Sequence, residues 1–332
     1  MSKDQQSEVE VVPVRHVGQW VGAAVVLIAI AMVVHTLFSK VPLQSGLNKC
    51  VTTAGKRVCH PIFIWRFQWN TVGQYLFSSE VLHGVILTLQ LTVVAMVIGI
   101  VLGVIIAVMR LSNNRLLAAP AWVYTWFFRG TPVYVQLFFW FNIGLLYKRF
   151  TLGVPFLHVT FFSTSTNVIT GVWAAILGLG LNEAAYMSEI ARAGIISVDE
   201  GQTEAATSLG MTKGQTLRLV VLPQAMRVII PPTGNEVISM LKTTSLAASI
   251  AVIELFGAVQ NIWANNFKTL PLIVVACLWY LFMTTVMSIG QFYIERHFAR
   301  GALRSPPMTP VQRLRKDLRT LGGRTRLTRM TS

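Results

Sequence analysis

The sequence predicts an all-α membrane protein, a polytopic bundle of about six transmembrane helices, and three observations support this prediction. Of the 332 residues, 53% are apolar and only 12% are charged, and the mean hydropathy is +0.58. Several apolar stretches exceed the roughly 18 residues that a helix needs to cross a hydrocarbon core about 30 Å thick. A strongly basic tail follows the last of these stretches. This composition excludes an ordinary soluble domain.

Composition divides the chain into an N-terminal region, a transmembrane core and a basic tail, at residues 1–80, 81–295 and 296–332. In the first region, the apolar stretch 18–38 is too long for a signal-peptide core and lacks a convincing cleavage site. We therefore interpret it as a retained signal anchor. The polar loop that follows contains Cys50 and Cys59, which form a disulfide if the loop is extracytoplasmic or else remain free thiols. His60 is the only nearby soft ligand, so no metal site is predicted.

The transmembrane core contains five further apolar stretches, which we predict to be spans, at residues 81–109, 116–146, 168–196, 229–256 and 270–294. A helix-breaking sequence, Arg129-Gly130-Thr131-Pro132, interrupts the second of these stretches. The positive-inside bias places the basic tail in the cytoplasm, and six spans then place the N-terminus there as well. The first outer loop is also basic, but the bias is weaker over long loops.

The basic tail accounts for much of the net charge of +15, since it has ten Lys or Arg residues and one acidic residue, Asp317. A nucleic-acid-binding arm is the usual alternative for such a tail. Here the tail adjoins a membrane segment, which favours an anchor at the cytoplasmic lipid surface. We therefore expect membrane lipid, and no nucleic acid, among the partners.

The most informative segment lies near residues 199–223, between two long apolar stretches. It contains Glu204-Ala205-Ala206, then three residues, Gly210, nine residues, and Val220-Val221-Leu222-Pro223. Ala205 and Ala206 favour a helix and have little bulk, so a partner surface can approach closely. Gly210 permits a conformation or a close approach that a Cβ would block. Pro223 ends one apolar stretch and begins a helix that returns to the membrane. The Glu204 carboxylate can accept hydrogen bonds from a partner.

This pattern resembles the EAA loop of ABC-importer permeases, which reads Glu-Ala-Ala, three residues, Gly, nine residues, Ile, any residue, Leu, Pro. Only Val220 departs from it, since the family usually has Ile there. Other sequences resemble the polar amino acid (histidine/glutamine/arginine/glutamate) branch of these permeases, at residues 87–92, 128–137, 183–190, 201–202, 234–236 and 241–246. Members of this branch usually have five spans. The stretch 18–38, the cysteine loop and the long tail are therefore departures that the resemblance does not explain.

The resemblance implies a type I ABC-importer permease subunit in the bacterial inner membrane. Its implied partners are cytoplasmic ATPase subunits, an extracytoplasmic amino-acid-binding protein and a second permease subunit, identical or paralogous. The coupling residues would be Glu204, Ala205, Ala206, Gly210, Leu222 and Pro223, and we expect Glu204→Lys or Gly210→Asp to abolish uptake. The chain has no Gly-x-x-x-x-Gly-Lys-Ser/Thr sequence, so ATP and Mg would be used by the ATPase, and this chain would bind no cofactor and not be an enzyme.

Polar side chains inside predicted spans mark a candidate substrate pathway, and they are Arg129, Asn235, Glu236, Lys242, Thr244 and Ser245. Two of them have structural alternatives. Lys242 could instead hold helices together or extend to the membrane interface. Arg129 could bind a substrate carboxylate or pair with an acidic side chain such as Glu183. Glu189 and Arg192 lie three residues apart and are predicted to form a local ion pair.

Two other functional classes remain open at this stage. An ATPase-independent secondary transporter or channel would favour paired intramembrane acidic residues, or inverted repeats with broken helices. A membrane-embedded enzyme would need a catalytic constellation facing one leaflet. Neither signature is clear in the sequence. Co-purification with an ATPase in mild detergent would separate the importer subunit from both alternatives.

Overall fold

The computed structural model describes residues 17–42, 48–53, 56–61, 63–65, 67–146, 149–154, 159–165 and 169–298. Eleven α-helices occur in this part of the chain, namely α1 (Val17–Phe38), α2 (Trp69–Tyr75), α3 (Ser79–Arg110), α4 (Arg115–Gly130), α5 (Val133–Leu146), α6 (Gly171–Ile196), α7 (Glu200–Ser208), α8 (Lys213–Thr216), α9 (Leu222–Thr243), α10 (Leu255–Asn266) and α11 (Thr269–Phe298). A π-helical turn, Leu217–Val221, joins α8 to α9, and a 3₁₀-helix, Thr244–Ile250, follows α9. The predicted helix bundle is confirmed.

Three of the described helices, α1, α3 and α11, are long and apolar enough to cross a membrane alone. The helical run from Lys213 to Ile250 is bent by 44° relative to α10 and forms a fourth span if the two are counted together. The predicted third span is two helices, α4 and α5, separated at the expected break. The predicted fourth span corresponds to α6, in which Glu183 and Ser188 are buried polar residues. The number of six spans stays a prediction.

Short antiparallel strand pairs, which the sequence did not predict, occur in two connecting segments. They are β1 (Lys40–Pro42) with β4 (Phe63–Trp65), β2 (Asn48–Thr53) with β3 (Lys56–Pro61), and β5 (Arg149–Val154) with β6 (Val159–Ser165). Cys50 lies opposite Cys59 in the register of β2 and β3. Opposed residues of an antiparallel pair have the Cα spacing that a disulfide needs. The side chains of both cysteines lie outside the described part of the chain, so the disulfide stays a prediction.

Helix α1 lies outside the bundle. Every side chain from Val21 to Thr36 is exposed, which suits a helix surrounded by lipid. Its one described attachment is at its end, where the Trp69 indole N–H donates to the Leu37 carbonyl oxygen at 3.0 Å. The Phe38 ring also stacks on Trp69, with 5.1 Å between ring centroids. The extra span is therefore an addition to the bundle rather than a part of its core.

Helices α3 and α6 form the centre of the bundle, and two glycines of α3 set their spacing. A Cβ built on Gly99 would lie 2.4 Å from Cγ of Glu183, and one on Gly103 would lie 2.6 Å from Cβ of Met187. Small residues four apart let helix backbones approach closely in a membrane. The close approach at Gly99 presses the Glu183 side chain against α3 and leaves it little freedom.

We expect Gly103→Leu to destabilise the bundle by roughly 1–3 kcal/mol or more, because the added side chain has no space between α3 and α6. Thermal unfolding of the detergent-purified protein measures this effect. Gly290→Leu on α11 is the matched control, since a Cβ at Gly290 meets no atom within 4 Å. Equal melting temperatures for the two variants would contradict the close packing of α3 on α6.

A buried carboxylate fixes the bend before α10. Glu254 is fully buried and caps the helix by accepting the Gly257 backbone N–H at 2.9 Å. The Thr88 hydroxyl of α3 and the Tyr280 hydroxyl of α11 donate to its other oxygen at 3.1 and 2.9 Å. Ala251, just before the cap, has a left-handed φ of 61°. This network ties three helices together and is distinct from the cavity described below.

Candidate functional sites

Helix α7 contains the Glu-Ala-Ala sequence and ends in a Schellman motif. Gly210 has a φ of +79°, its N–H donates to the Thr207 carbonyl at 2.9 Å, and the Met211 N–H donates to the Ala206 carbonyl at 3.1 Å. Glycine adopts this left-handed conformation at little cost. A Cβ at Gly210 would meet no atom within 4 Å. Of the two roles that the sequence allowed for this glycine, the structure supports the conformational one.

The two alanines of the motif lie on different faces of α7. Ala206 is 4% exposed, since it lies on the side of α7 that contacts the π-helical turn. Ala205 is exposed and shares a face with three other exposed residues, at spacing i, i+3, i+4 and i+7. We call this the open face of α7, and it consists of Gly201, Glu204, Ala205 and Ser208. It is a flat patch of small residues on which Glu204 has the only large side chain.

A continuous helical rod supports α7. A capping box starts α8, with the Gln215 backbone N–H donating to the Thr212 hydroxyl oxygen and the Thr212 backbone N–H donating to the Gln215 carboxamide oxygen. Helix α8, the π-helical turn and α9 then follow one another without a gap. Pro223 is the second residue of α9, which a proline tolerates. The expected end of one segment before Pro223 is therefore absent, and the exposed Leu222 lies within the same rod.

A cavity of about 570 Å³ lies between the α4–α5 break, α6 and α9, and it is lined by Arg129, Gly130, Thr131, Pro132, Val133, Leu179, Asn182, Glu183, Tyr186, Glu236, Ser239, Met240 and Thr243. The four lining residues of α9 recur at i, i+3, i+4 and i+7, which is one helical face. This volume lies in the range of small-molecule sites. The rod that supports α7 thus also forms one wall of the cavity.

Glu183 is the least exposed charged group of the cavity lining. The residue is 4% exposed, and its Oε1 has no hydrogen-bond partner among the described residues. An unpaired carboxylate in such a place is costly and calls for a cation or a donor. Glu236 faces the same cavity from α9 and Arg129 from the end of α4. The lining therefore contains two carboxyl groups and one guanidinium.

The break between α4 and α5 forms a polar wall of the cavity. The Gln136 side-chain N–H₂ donates to the Phe128 carbonyl at 3.0 Å and to the Thr131 carbonyl at 3.1 Å. The Asn182 side-chain N–H₂ also donates to the Phe128 carbonyl, at 2.9 Å. Pro132 supplies no N–H, so carbonyls of the preceding turn need such donors. The break is stabilised by side chains and presents Arg129 at the cavity.

Arg129 pairs with Glu189 and not with Glu183, which corrects the pairing that the sequence suggested. Its Nη1 lies 3.4 Å from Oε1 of Glu189, and its guanidinium lies over the Tyr186 ring, 5.3 Å from the centroid. The predicted local pair of Glu189 with Arg192 is confirmed at 2.9 Å. Glu183 instead lines the cavity and lies against Gly99 of α3.

Of the six predicted pathway residues, only Arg129 and Glu236 line the cavity. Asn235 is exposed and accepts a hydrogen bond from the Gln291 side chain at 3.0 Å. Lys242 is exposed away from the lining. The hydroxyls of Thr244 and Ser245 donate to carbonyls one turn back, at 2.7 Å each, so their polarity is satisfied within the helix.

Six polar lining residues are not among the predicted pathway residues, namely Thr131, Asn182, Glu183, Tyr186, Ser239 and Thr243. The sequence suggests Glu183 only as a partner for Arg129. Helical spacing from Glu236 could have found Ser239 and Thr243. Asn182 and Glu183 could have been found as adjacent polar residues within a long apolar stretch.

Comparisons with known proteins agree with this architecture. The family model described as "Binding-protein-dependent transport system inner membrane component" matches residues 99–300. The arginine transport system permease protein of Corynebacterium glutamicum is 42% identical over 305 residues, covering 92% of this chain and 87% of the relative. The permease of the histidine/lysine/arginine/ornithine transport system of Escherichia coli K12 is 35% identical over 204 residues, covering 61% and 82%.

Solved structures are similar as well. The crystal structure of an amino acid ABC transporter with histidines gives a TM-score of 0.58 at 32% identity, covering 70% of this chain and 98% of the other. An inward-facing MetNI methionine ABC transporter gives a TM-score of 0.51 at 18% identity, covering 67% and 94%, which shows similarity of fold alone.

Proposed function

Because the chain belongs to the family of binding-protein-dependent transport system inner membrane components, and is thus a membrane-embedded permease subunit of an ABC importer, we propose that it carries a cationic α-amino acid. The observation that carries this proposal is the charge of the cavity lining, with Glu183, Glu236 and Arg129. Similar permeases belong to systems named for arginine and for histidine, lysine, arginine and ornithine.

The charges of the lining match those of such a substrate one for one. The substrate carboxylate pairs with Arg129, because a guanidinium binds a carboxylate through two parallel hydrogen bonds. The α-ammonium group pairs with one of the two glutamates. The second glutamate then needs another cation, since a buried charge without a partner is costly. A positively charged side chain supplies that cation, and a neutral side chain does not.

We further propose that the end of the bundle with α7 faces the cytoplasm, where ATPase subunits dock on the open face of α7. Closure of the ATPase on ATP and Mg would move α7, and the rod of α8 and α9 would carry that movement to the cavity wall. An extracytoplasmic binding protein would deliver the amino acid at the other end. A second permease subunit, identical or paralogous, would complete the pathway. The access change is a shift between two populations driven by differential ATP affinity.

The test is equilibrium binding of labelled amino acids to the purified complex of this permease with its ATPase, without the binding protein. Leaving out the binding protein isolates the selectivity of the cavity. We expect L-arginine and L-lysine to bind, and L-citrulline, a neutral isostere of arginine, to bind at least about tenfold more weakly. Equal affinity for arginine and citrulline would refute the cationic substrate class.

Uptake into proteoliposomes with the complete system tests the class of transporter. Import that requires ATP, the ATPase and the binding protein supports the importer. Import that persists without the ATPase and follows an ion gradient would instead support the alternative, a secondary transporter or channel.

A further inference from the structure

The carboxylate of Glu189 contacts three arginines. Arg110 belongs to α3, Arg129 to α4, and Arg192 to α6, the helix that also contains Glu189. Oε1 accepts a hydrogen bond from Arg110 of α3 and is the oxygen that Arg129 approaches. Oε2 accepts two hydrogen bonds from Arg192, at 2.9 and 3.1 Å. Within the described part of the chain, this group has three positive charges and one negative charge. The excess of positive charge favours the approach of a further anion.

The three arginines are held unequally. Arg192 has two hydrogen bonds to Glu189, and Arg110 has one and is 15% exposed. Arg129 makes an ion-pair contact of 3.4 Å to an oxygen that Arg110 already occupies, and its side chain is 44% exposed. Such a partly exposed pair is weak, because solvent screens it. Arg129 is therefore the arginine that detaches most easily.

Arg129 is also the one arginine of the three that lines the cavity. The ring of Tyr186, which lies under its guanidinium, supports it from one side. Glu189 and an incoming substrate carboxylate are thus alternative partners for the Arg129 guanidinium. When the substrate carboxylate binds Arg129, Glu189 keeps Arg110 and Arg192, so no carboxylate is left unpaired.

Resting on the proposed function, we propose that Glu189 is a positioning residue that competes with the substrate carboxylate for Arg129. In the empty cavity Glu189 holds the Arg129 guanidinium at the edge. In the occupied cavity the substrate carboxylate replaces it. Because Glu189 lies about two turns before the end of α6, which α7 follows, the exchange changes the charge balance next to the coupling helix whenever the cavity fills.

The experiment measures binding of labelled L-arginine and of agmatine, which is arginine without its carboxylate, to the purified permease–ATPase complex. We expect Glu189→Gln to tighten arginine binding by roughly two- to fivefold, because the competitor is removed. Agmatine binding stays unchanged. Loss of structure would weaken the binding of both ligands, so the direction of the change separates competition from damage. Glu295→Gln is the matched control, because this glutamate of α11 bonds Gln291 outside both the cavity and the Glu189 cluster, and it leaves arginine affinity unchanged.

Two further variants complete the test. Glu189→Asp keeps the negative charge but withdraws the carboxylate by one methylene, and because the contact to Arg129 is the longest of the three ion pairs, it also tightens arginine binding. Arg129→Gln weakens arginine binding at least about tenfold. In the double variant, adding Glu189→Gln causes no further change in the affinity for arginine. Unchanged or weaker arginine binding in folded Glu189→Gln and Glu189→Asp complexes would overturn this inference alone. Unchanged arginine binding by Arg129→Gln would instead overturn the proposed function.

Discussion

Glu204→Lys is expected to abolish amino acid uptake while the permease remains folded in the membrane. Glu204 is the only large side chain on the open face of α7, and no other described residue of the chain covers that face. The substitution replaces a carboxylate that accepts hydrogen bonds with an ammonium group. That ammonium group would face the basic or N–H groups of the ATPase that Glu204 would bind, and placing like charges opposite each other at an interface costs several kcal/mol. That cost corresponds to a loss of ATPase affinity of more than about 100-fold.

Two measurements check this result, namely co-purification of the ATPase in mild detergent and ATP-dependent uptake by the complete system. Lys213→Glu is the matched control, because it reverses an exposed charge in the same segment but lies on α8, outside the open face. We expect this control to retain the ATPase. Normal uptake by Glu204→Lys would argue strongly against α7 as the coupling helix.

The second large effect is expected from Glu183→Gln, which should abolish binding and uptake of cationic amino acids. Glu183 is buried with one oxygen lacking a partner among the described residues, so a bound cation would be fully desolvated there. Removing one partner of a buried ion pair costs about 3–5 kcal/mol, which is roughly a 150- to 5,000-fold loss of affinity. Because the side chain keeps its shape, the packing against Gly99 is retained.

Equilibrium binding of labelled L-arginine to the purified complex measures the loss. Glu236→Gln should lose less, since Glu236 is more exposed and a charged hydrogen bond there is worth about 1.5–3 kcal/mol. Glu295→Gln is the matched control, because this glutamate of α11 bonds Gln291 outside the cavity. Arginine binding at wild-type affinity by Glu183→Gln would show that the cation does not occupy this cavity.

Local sequence was sufficient to find the EAA-like segment. The spacing of Glu204, Gly210 and Pro223 indicated the family, whereas the structure decided that Gly210 serves a left-handed φ and not a close approach. The different exposure of Ala205 and Ala206 could not be predicted from the local sequence. Both are small helix formers, and only the packing of α7 against the π-helical turn buries one and exposes the other.

The cavity was predicted less well. Arg129 could be found because a charge beside a proline in an apolar stretch is unusual, and Glu236 for a similar reason. Thr244 and Ser245 are close to Glu236 in the sequence but do not line the cavity, since clustering along the chain does not tell which side of a helix a residue occupies. Glu183 was undervalued because its environment is created by Gly99 on another helix.

The sequence by itself determined that this chain is a membrane helix bundle, where most of its helices lie and which segment resembles the EAA loop of the family. These properties depend on hydropathy and on residue spacing within one segment, which are local. Only the tertiary structure decided which charged side chains share the cavity and that Arg129 lies beside Glu189. Those contacts join α4 to α6 and α6 to α9, and their geometry depends on how closely separate helices approach, which no single segment encodes.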